Sequence, residues 1–109
     1  MDRPELAVTV RSAPAEAVVS VTGEIDMLTV TQLSSTINTI LADSPPPRVV
    51  LDLAGVTFCD SQGLGTLVVL SRKATTAQSC LVLTNVADFL LRVLDITGLR
   101  SALMIRNEG

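Results

Sequence analysis

The stretch Val49-Val50-Leu51-Asp52-Leu53-Ala54-Gly55-Val56-Thr57-Phe58-Cys59-Asp60-Ser61-Gln62-Gly63-Leu64-Gly65 decides the fold. Val49 to Leu53 is apolar almost throughout, the pattern of a central strand covered on both faces. A short loop through Gly55 and Phe58 is expected to lead to Asp60-Ser61, residue types that cap helices. Leu64, Leu67, Val68 and Ser71 then supply the inward stripe of a helix, which Val69 and Leu70 widen, so this helix is expected to be mostly buried.

Upstream, Leu6 to Val10 and Ala17 to Val21 alternate or run apolar with β-branched residues. Ser12-Ala13-Pro14-Ala15 between them is turn-like, so a hairpin opens the chain and Gly23 is expected to end it. After Asp26, the apolar residues Val30, Leu33, Ile37, Ile40 and Leu41 paint one stripe on a helix, which Asp43-Ser44-Pro45-Pro46-Pro47 stops. Downstream, Cys80 to Thr84 reads as a strand and Ala87 to Asp95 as a third helix, broken at Gly98. Leu103-Met104-Ile105 can add a last short strand. The order β-β-α-β-α-β-α-(β) predicts an α/β fold: a mixed sheet with an N-terminal hairpin, right-handed crossovers, and three main helices packed on at least one face. At 109 residues the chain is expected to form a single domain over 1–109.

Composition excludes several kinds of chemistry. The chain has no His, Trp or Tyr and only two Phe. Without imidazole there is no Ser-His-Asp or Cys-His arrangement and no histidine metal site. Two Phe and a net charge of −3 give neither a stacking platform nor an electrostatic footprint for nucleic acid or anionic lipid. Between Ser12 and Ser71 the acids Glu16, Glu24, Asp26, Asp43, Asp52 and Asp60 meet the single base Arg48. Either they gather at one end of the fold, where they suit a basic partner surface, or they form a solvated rim. Met1-Asp2-Arg3-Pro4-Glu5 is charged where a signal peptide would begin its apolar run, and the uncharged stretch Met27 to Ala42 is broken by polar residues. No membrane segment and a cytoplasmic location are therefore expected. Cys59 and Cys80 match neither C-x-x-C nor a zinc pair and read as reduced thiols, with a regulatory disulfide as the alternative.

Two glycines, Gly63 and Gly65, fall in the first turns of the predicted second helix, where each costs about 0.5–1 kcal/mol relative to Ala. One explanation is structural: the missing side chains let the helix lie close on the sheet. The other is functional: bare backbone lets another protein approach Ser61. Ser61 itself reads either as an N-cap or as a functional hydroxyl. It is no activated nucleophile, because no base is available and the G-x-S-x-G elbow is absent. Gly63-Leu64-Gly65 is half of a dinucleotide fingerprint and lacks the third Gly.

The run Phe58-Cys59-Asp60-Ser61-Gln62-Gly63-Leu64-Gly65 resembles the phosphorylation-site signature of STAS domains, specifically the bacterial anti-anti-sigma factors, or anti-sigma factor antagonists. Gly23-Glu24-Ile25-Asp26 resembles the element after the second strand, Val50-Leu51-Asp52-Leu53 the central strand, and Thr97-Gly98-Leu99 the element after the third helix. The resemblance covers nearly the whole chain. It implies a STAS-like single domain, monomeric when free, that binds an anti-sigma factor serine kinase and so frees a sigma factor. It further implies that the kinase phosphorylates Ser61 and that a PP2C-type phosphatase reverses this. ATP and magnesium belong to the kinase, so no cofactor, metal or catalytic residue is expected here. Glu24, Asp26, Asp60, Ser61, Gln62, Gly63, Leu64 and Gly65 are carried over as partner-binding positions.

Gln62 departs from the second hydroxyl residue that many members carry after the acceptor, leaving Ser61 as the only hydroxyl in the signature. Cys59 stands where a bulky apolar residue is usual and reads first as a small hydrophobe. A phosphate on Ser61 is expected to leave the fold intact and to act across the interface, beside Asp26 and Asp60. The competing reading is an unphosphorylated STAS scaffold or sensing module that recognises its partner by shape.

Overall fold

Apolar alternation in five segments builds one sheet, in the order β1-β2-β3-β4-β5, and the computed structural model describes it over residues 6–107. The N-terminal stretch read above as unlike a signal peptide lies outside the described residues. The strands are β1 (Ala7–Ser12), β2 (Glu16–Ile25), β3 (Arg48–Cys59), β4 (Leu81–Thr84) and β5 (Met104–Ile105). The helices are α1 (Val30–Ala42), α2 (Ser61–Thr76) and α3 (Asp88–Thr97), with a 3-10 turn at Arg100–Ala102. β1 and β2 pair antiparallel through the predicted turn; every later pairing is parallel. Because sequence order and sheet order coincide, right-handed crossovers put all three helices on one face.

That face holds the core. Val19, Val21, Leu51, Leu53, Leu81 and Leu83 of the strands meet Leu33 and Ile37 of α1, Leu67 and Leu70 of α2, and Leu90 and Leu94 of α3 in one buried cluster. Burying each such side chain contributes about 1.5–3 kcal/mol, and truncating one, as in Leu51→Ala, costs about 2–5 kcal/mol. On the helix-free face Val50 is paired with Val82, and Val82 with the exposed Met104. The two valines are buried there outside the main cluster.

The predicted order of elements holds, and several boundaries do not. β2 continues past Gly23 to Ile25, and the segment expected to loop through Gly55 and Phe58 is strand, because the two segments pair with each other. The register slips between Ser20 and Thr22 and again between Gly23 and Glu24. Bulges of this kind break the period-two alternation by which a strand is read. Gly23 sits at the second slip with φ +119°. Gly55 lies opposite Thr22, whose Oγ1 is 2.6 Å from where a Cβ would stand. Cys80 and Leu103 precede their strands, and α3 is shifted to Asp88–Thr97. α2 is less buried than its apolar content suggests, since Val69 is exposed and only its 63, 64, 67, 70 and 74 positions are buried.

Candidate functional site

Parallel strands β2 and β3 end side by side, with Ile25 opposite Cys59. The Asp60 N–H donates to the Ile25 carbonyl at 3.1 Å, locking the start of α2 onto the end of β2. Asp26 and Asp60, the residues that follow the two strands, therefore emerge together at the C-terminal edge of the sheet. Ser61 follows as the first residue of α2 and is exposed.

Asp60, not Ser61, caps the helix. Its backbone is extended (φ −88°, ψ −176°) and its Oδ1 accepts from the Gly63 N–H at 2.9 Å. The reason is register: residue 60 is the last with strand geometry, so its carboxylate reaches the third N–H of the helix. The cap leaves the Ser61 hydroxyl without a hydrogen bond among the described residues. The N–H groups of Ser61 and Gln62 have no carbonyl behind them within the helix.

The two glycines have different causes. A Cβ on Gly63 would stand 2.7 Å from Ile25 Cγ2, 2.8 Å from Cys59 Sγ and 3.2 Å from the Ile25 carbonyl oxygen, whereas a Cβ on Gly65 would meet nothing within 4 Å. Gly63 therefore serves packing, which seats α2 on the strand ends. Gly65 is exposed on the open side of the helix, and packing does not account for it. Leu64 is also buried, so Gly63 and Leu64 hold the site from beneath rather than line its surface. Gln62 is exposed, and Glu24, Asp26 and Asp60 are half-buried.

Asp26 is engaged with its own turn. Its Oδ1 accepts from the N–H of Leu28 at 2.9 Å and of Thr29 at 3.0 Å. The Asp26 N–H in return donates to Thr29 Oγ1 at 3.0 Å, a reciprocal pair that closes the turn leading into α1. Thr29 Oγ1 donates to the Glu24 carbonyl at 2.7 Å, and Thr29 is the one buried polar residue among the described residues. This turn holds Met27 and Leu28 at 65% and 72% exposure, and across the strand pair from Glu24 Phe58 is 46% exposed.

Reasoning from sequence missed these apolar side chains. The available signal was that Met27 and Leu28 fall off the stripe of α1 and so have no buried face to occupy. The acids do not all gather here: Glu24, Asp26 and Asp60 do, but Glu16 pairs with Arg48 at 2.8 Å at the start of β3, Asp43 follows α1, and Asp52 accepts from Asn85 Nδ2 at 3.0 Å.

Cys59 and Cys80 are both free. Burial, with a smaller contribution from the Asp60 carboxylate, pushes the Cys59 thiol up to about 12. It stays protonated and behaves as a small apolar side chain under the Ser61 turn. Among the described residues no three His, Cys, Asp or Glu side chains are placed to hold a metal, and no helix is long and apolar enough to cross a membrane.

The family model described as "Mlab, STAS domain" matches residues 8–106. The chain belongs to the STAS domain family. This STAS domain is 39% identical over 74 residues to the anti-sigma-F factor antagonist RsfB of Mycobacterium tuberculosis, covering 67% of this chain and 60% of that protein. The chain thus spans less than two-thirds of that relative's length. It is 33% identical over 91 residues to the anti-sigma-B factor antagonist of Staphylococcus aureus, covering 84% of this chain and 82% of that one. Among solved structures, an anti-sigma factor antagonist from Mycobacterium paratuberculosis matches with a TM-score of 0.80 at 32% identity, covering 92% of this chain and 84% of that one. All three are named as antagonists of anti-sigma factors.

Proposed function

We propose that this STAS domain is an anti-sigma factor antagonist acting in the cytoplasm, binding an anti-sigma factor that is itself a serine kinase and so releasing a sigma factor. Phosphorylation of Ser61 ends the binding and a PP2C-type phosphatase restores it. The observation that carries this reading is the placement of Ser61. Among the described residues its hydroxyl is exposed and unengaged and no group is aimed at activating it, which supports a hydroxyl that receives a group rather than one that catalyses. The Ser61 oxygen attacks the γ-phosphorus of the kinase's ATP, ADP leaves, and the hydroxyl proton passes to a base of the kinase. ATP and its metal stay with the kinase, and this chain contributes no cofactor.

A phosphate adds about −1.5 to −2 charges. At the first position of α2 it meets the positive end of the helix dipole, worth about 0.3–1 kcal/mol in its favour, so the fold tolerates it. The penalty falls on the complex. Gly65, one turn on, leaves the helix surface bare for close approach, and a bulky dianion on Ser61 must be desolvated beside Asp60. Like-charge juxtaposition of this kind costs several kcal/mol, and about 2.8 kcal/mol is already 100-fold in affinity. Asp26 contributes by shaping its turn, since its carboxylate is bound to the N–H groups of Leu28 and Thr29.

The test compares wild type with Ser61→Asp. Amide spectra that superimpose away from α2, with binding to the anti-sigma factor lost, support the reading. A variant that is folded and binds as wild type favours the unphosphorylated scaffold instead, and a molten variant contradicts the claim that the helix end accepts the charge.

A further inference from the structure

We infer that Met27 and Leu28 form the apolar anchor by which this chain selects its anti-sigma factor, which meets them with an apolar pocket beside its phosphoryl-transfer site. The inference rests on the proposed function and adds the residues that decide which kinase is bound. It starts from an anomaly in burial. The fold buries most apolar residues of its strands and the inward stripes of its helices, yet Met27 and Leu28, adjacent in sequence and in neither set, stand 65% and 72% exposed. They are displayed rather than loose, because the turn that carries them is fixed at both ends. Asp26 Oδ1 receives the Leu28 and Thr29 N–H groups, and Thr29 Oγ1 ties the turn to the Glu24 carbonyl at the end of β2.

Area commits the surface to one occupant. A specific protein interface covers about 800 Å² per partner, a disc of roughly 16 Å radius on that figure. Neighbouring strands lie about 4.8 Å apart, and Ile25 and Cys59 are such neighbours, with Asp60 bonded to the Ile25 carbonyl. A protein that covers Ser61 well enough to phosphorylate it therefore also covers the turn that begins one residue after Ile25. The positions are suited to selectivity because their side chains carry no part of the fold's own packing. Phe58, paired with Glu24 on the neighbouring strand, is half-exposed as well.

The experiment measures dissociation constants of wild type and of Met27→Ser/Leu28→Ser for the anti-sigma kinases of the same genome, by calorimetry, with thermal unfolding as the control. Fully burying two such side chains corresponds to a loss of about a hundred-fold or more in affinity when they are truncated. The expected result is that loss for the cognate kinase, an unchanged unfolding temperature, and partial recovery in Met27→Leu/Leu28→Met. If wild type binds a kinase and the double Ser variant binds it equally well, the anchor is overturned and the proposed function stands. If wild type binds none of the kinases, the proposed function falls and the anchor with it.

Discussion

Substituting the two glycines of α2 by alanine, one at a time, should move stability in opposite directions. In Gly65→Ala the new methyl meets nothing within 4 Å, so only the helix preference acts, and the variant gains about 0.5–1 kcal/mol. In Gly63→Ala the same preference is opposed by contacts at 2.7 Å to Ile25 Cγ2, 2.8 Å to Cys59 Sγ and 3.2 Å to the Ile25 carbonyl oxygen. That carbonyl cannot yield freely, because it accepts the Asp60 N–H. Overpacking a site of this kind costs about 1–3 kcal/mol, leaving a net loss of about 1 kcal/mol after the helix term of up to ~1 kcal/mol. For a domain near 100 residues each kcal/mol shifts the unfolding temperature by about 4–8 °C. Thermal and urea unfolding should therefore raise the midpoint of Gly65→Ala by a few degrees and lower that of Gly63→Ala by several. Gly65→Ala should nonetheless bind the anti-sigma factor more weakly than wild type. Midpoints that move in the same direction would refute the reasoning that one glycine serves packing and the other serves approach.

Thr29→Val keeps the shape of a buried residue while removing the hydroxyl that joins Asp26 to Glu24; it should cost about 1–3 kcal/mol in urea unfolding, with most of the loss recovered in Thr29→Ser. Thiol labelling of the folded protein should modify Cys80 and spare Cys59, which becomes reactive only in denaturant. The Cys59 thiol, raised from 9.0 to about 12 in the folded state, keeps its proton where the unfolded chain loses it. Its linkage is therefore silent below pH 9 and lowers stability progressively as pH rises from 9 toward 12. Urea midpoints of wild type should fall more steeply over that window than those of Cys59→Ala, and equal slopes would contradict the burial of this thiol.

Much of this architecture was legible because its elements are patterned by burial. The stripe at Leu33 and Ile37, the run Val49 to Leu53 and the proline stop before it each have one physical solution. What was not legible depends on long-range pairing. β2 and β3 extend each other past Gly23 and Gly55 through register slips, and a bulge turns an alternating strand into something that reads as a loop. Asp60 and Ser61 are both capping types, and only the backbone angles assign the cap to Asp60. Composition could not divide Gly63 from Gly65, because their difference lies in Ile25, a residue far away in sequence. Sequence alone left the acids open between one cluster and a solvated rim, because it does not show that Arg48, the lone base among them, neutralises Glu16 at the opposite end of the strands from Ser61.

The central claim is that Ser61 is the switch, and phosphotransfer tests it most directly. The protein is incubated with ATP, magnesium and each anti-sigma kinase of its genome, and intact mass is read before the modified peptide is sequenced. The account predicts the gain of one phosphate, on Ser61, with one kinase, absent in Ser61→Ala, and accompanied by release of that kinase. A stable complex in which Ser61 is never modified would contradict it.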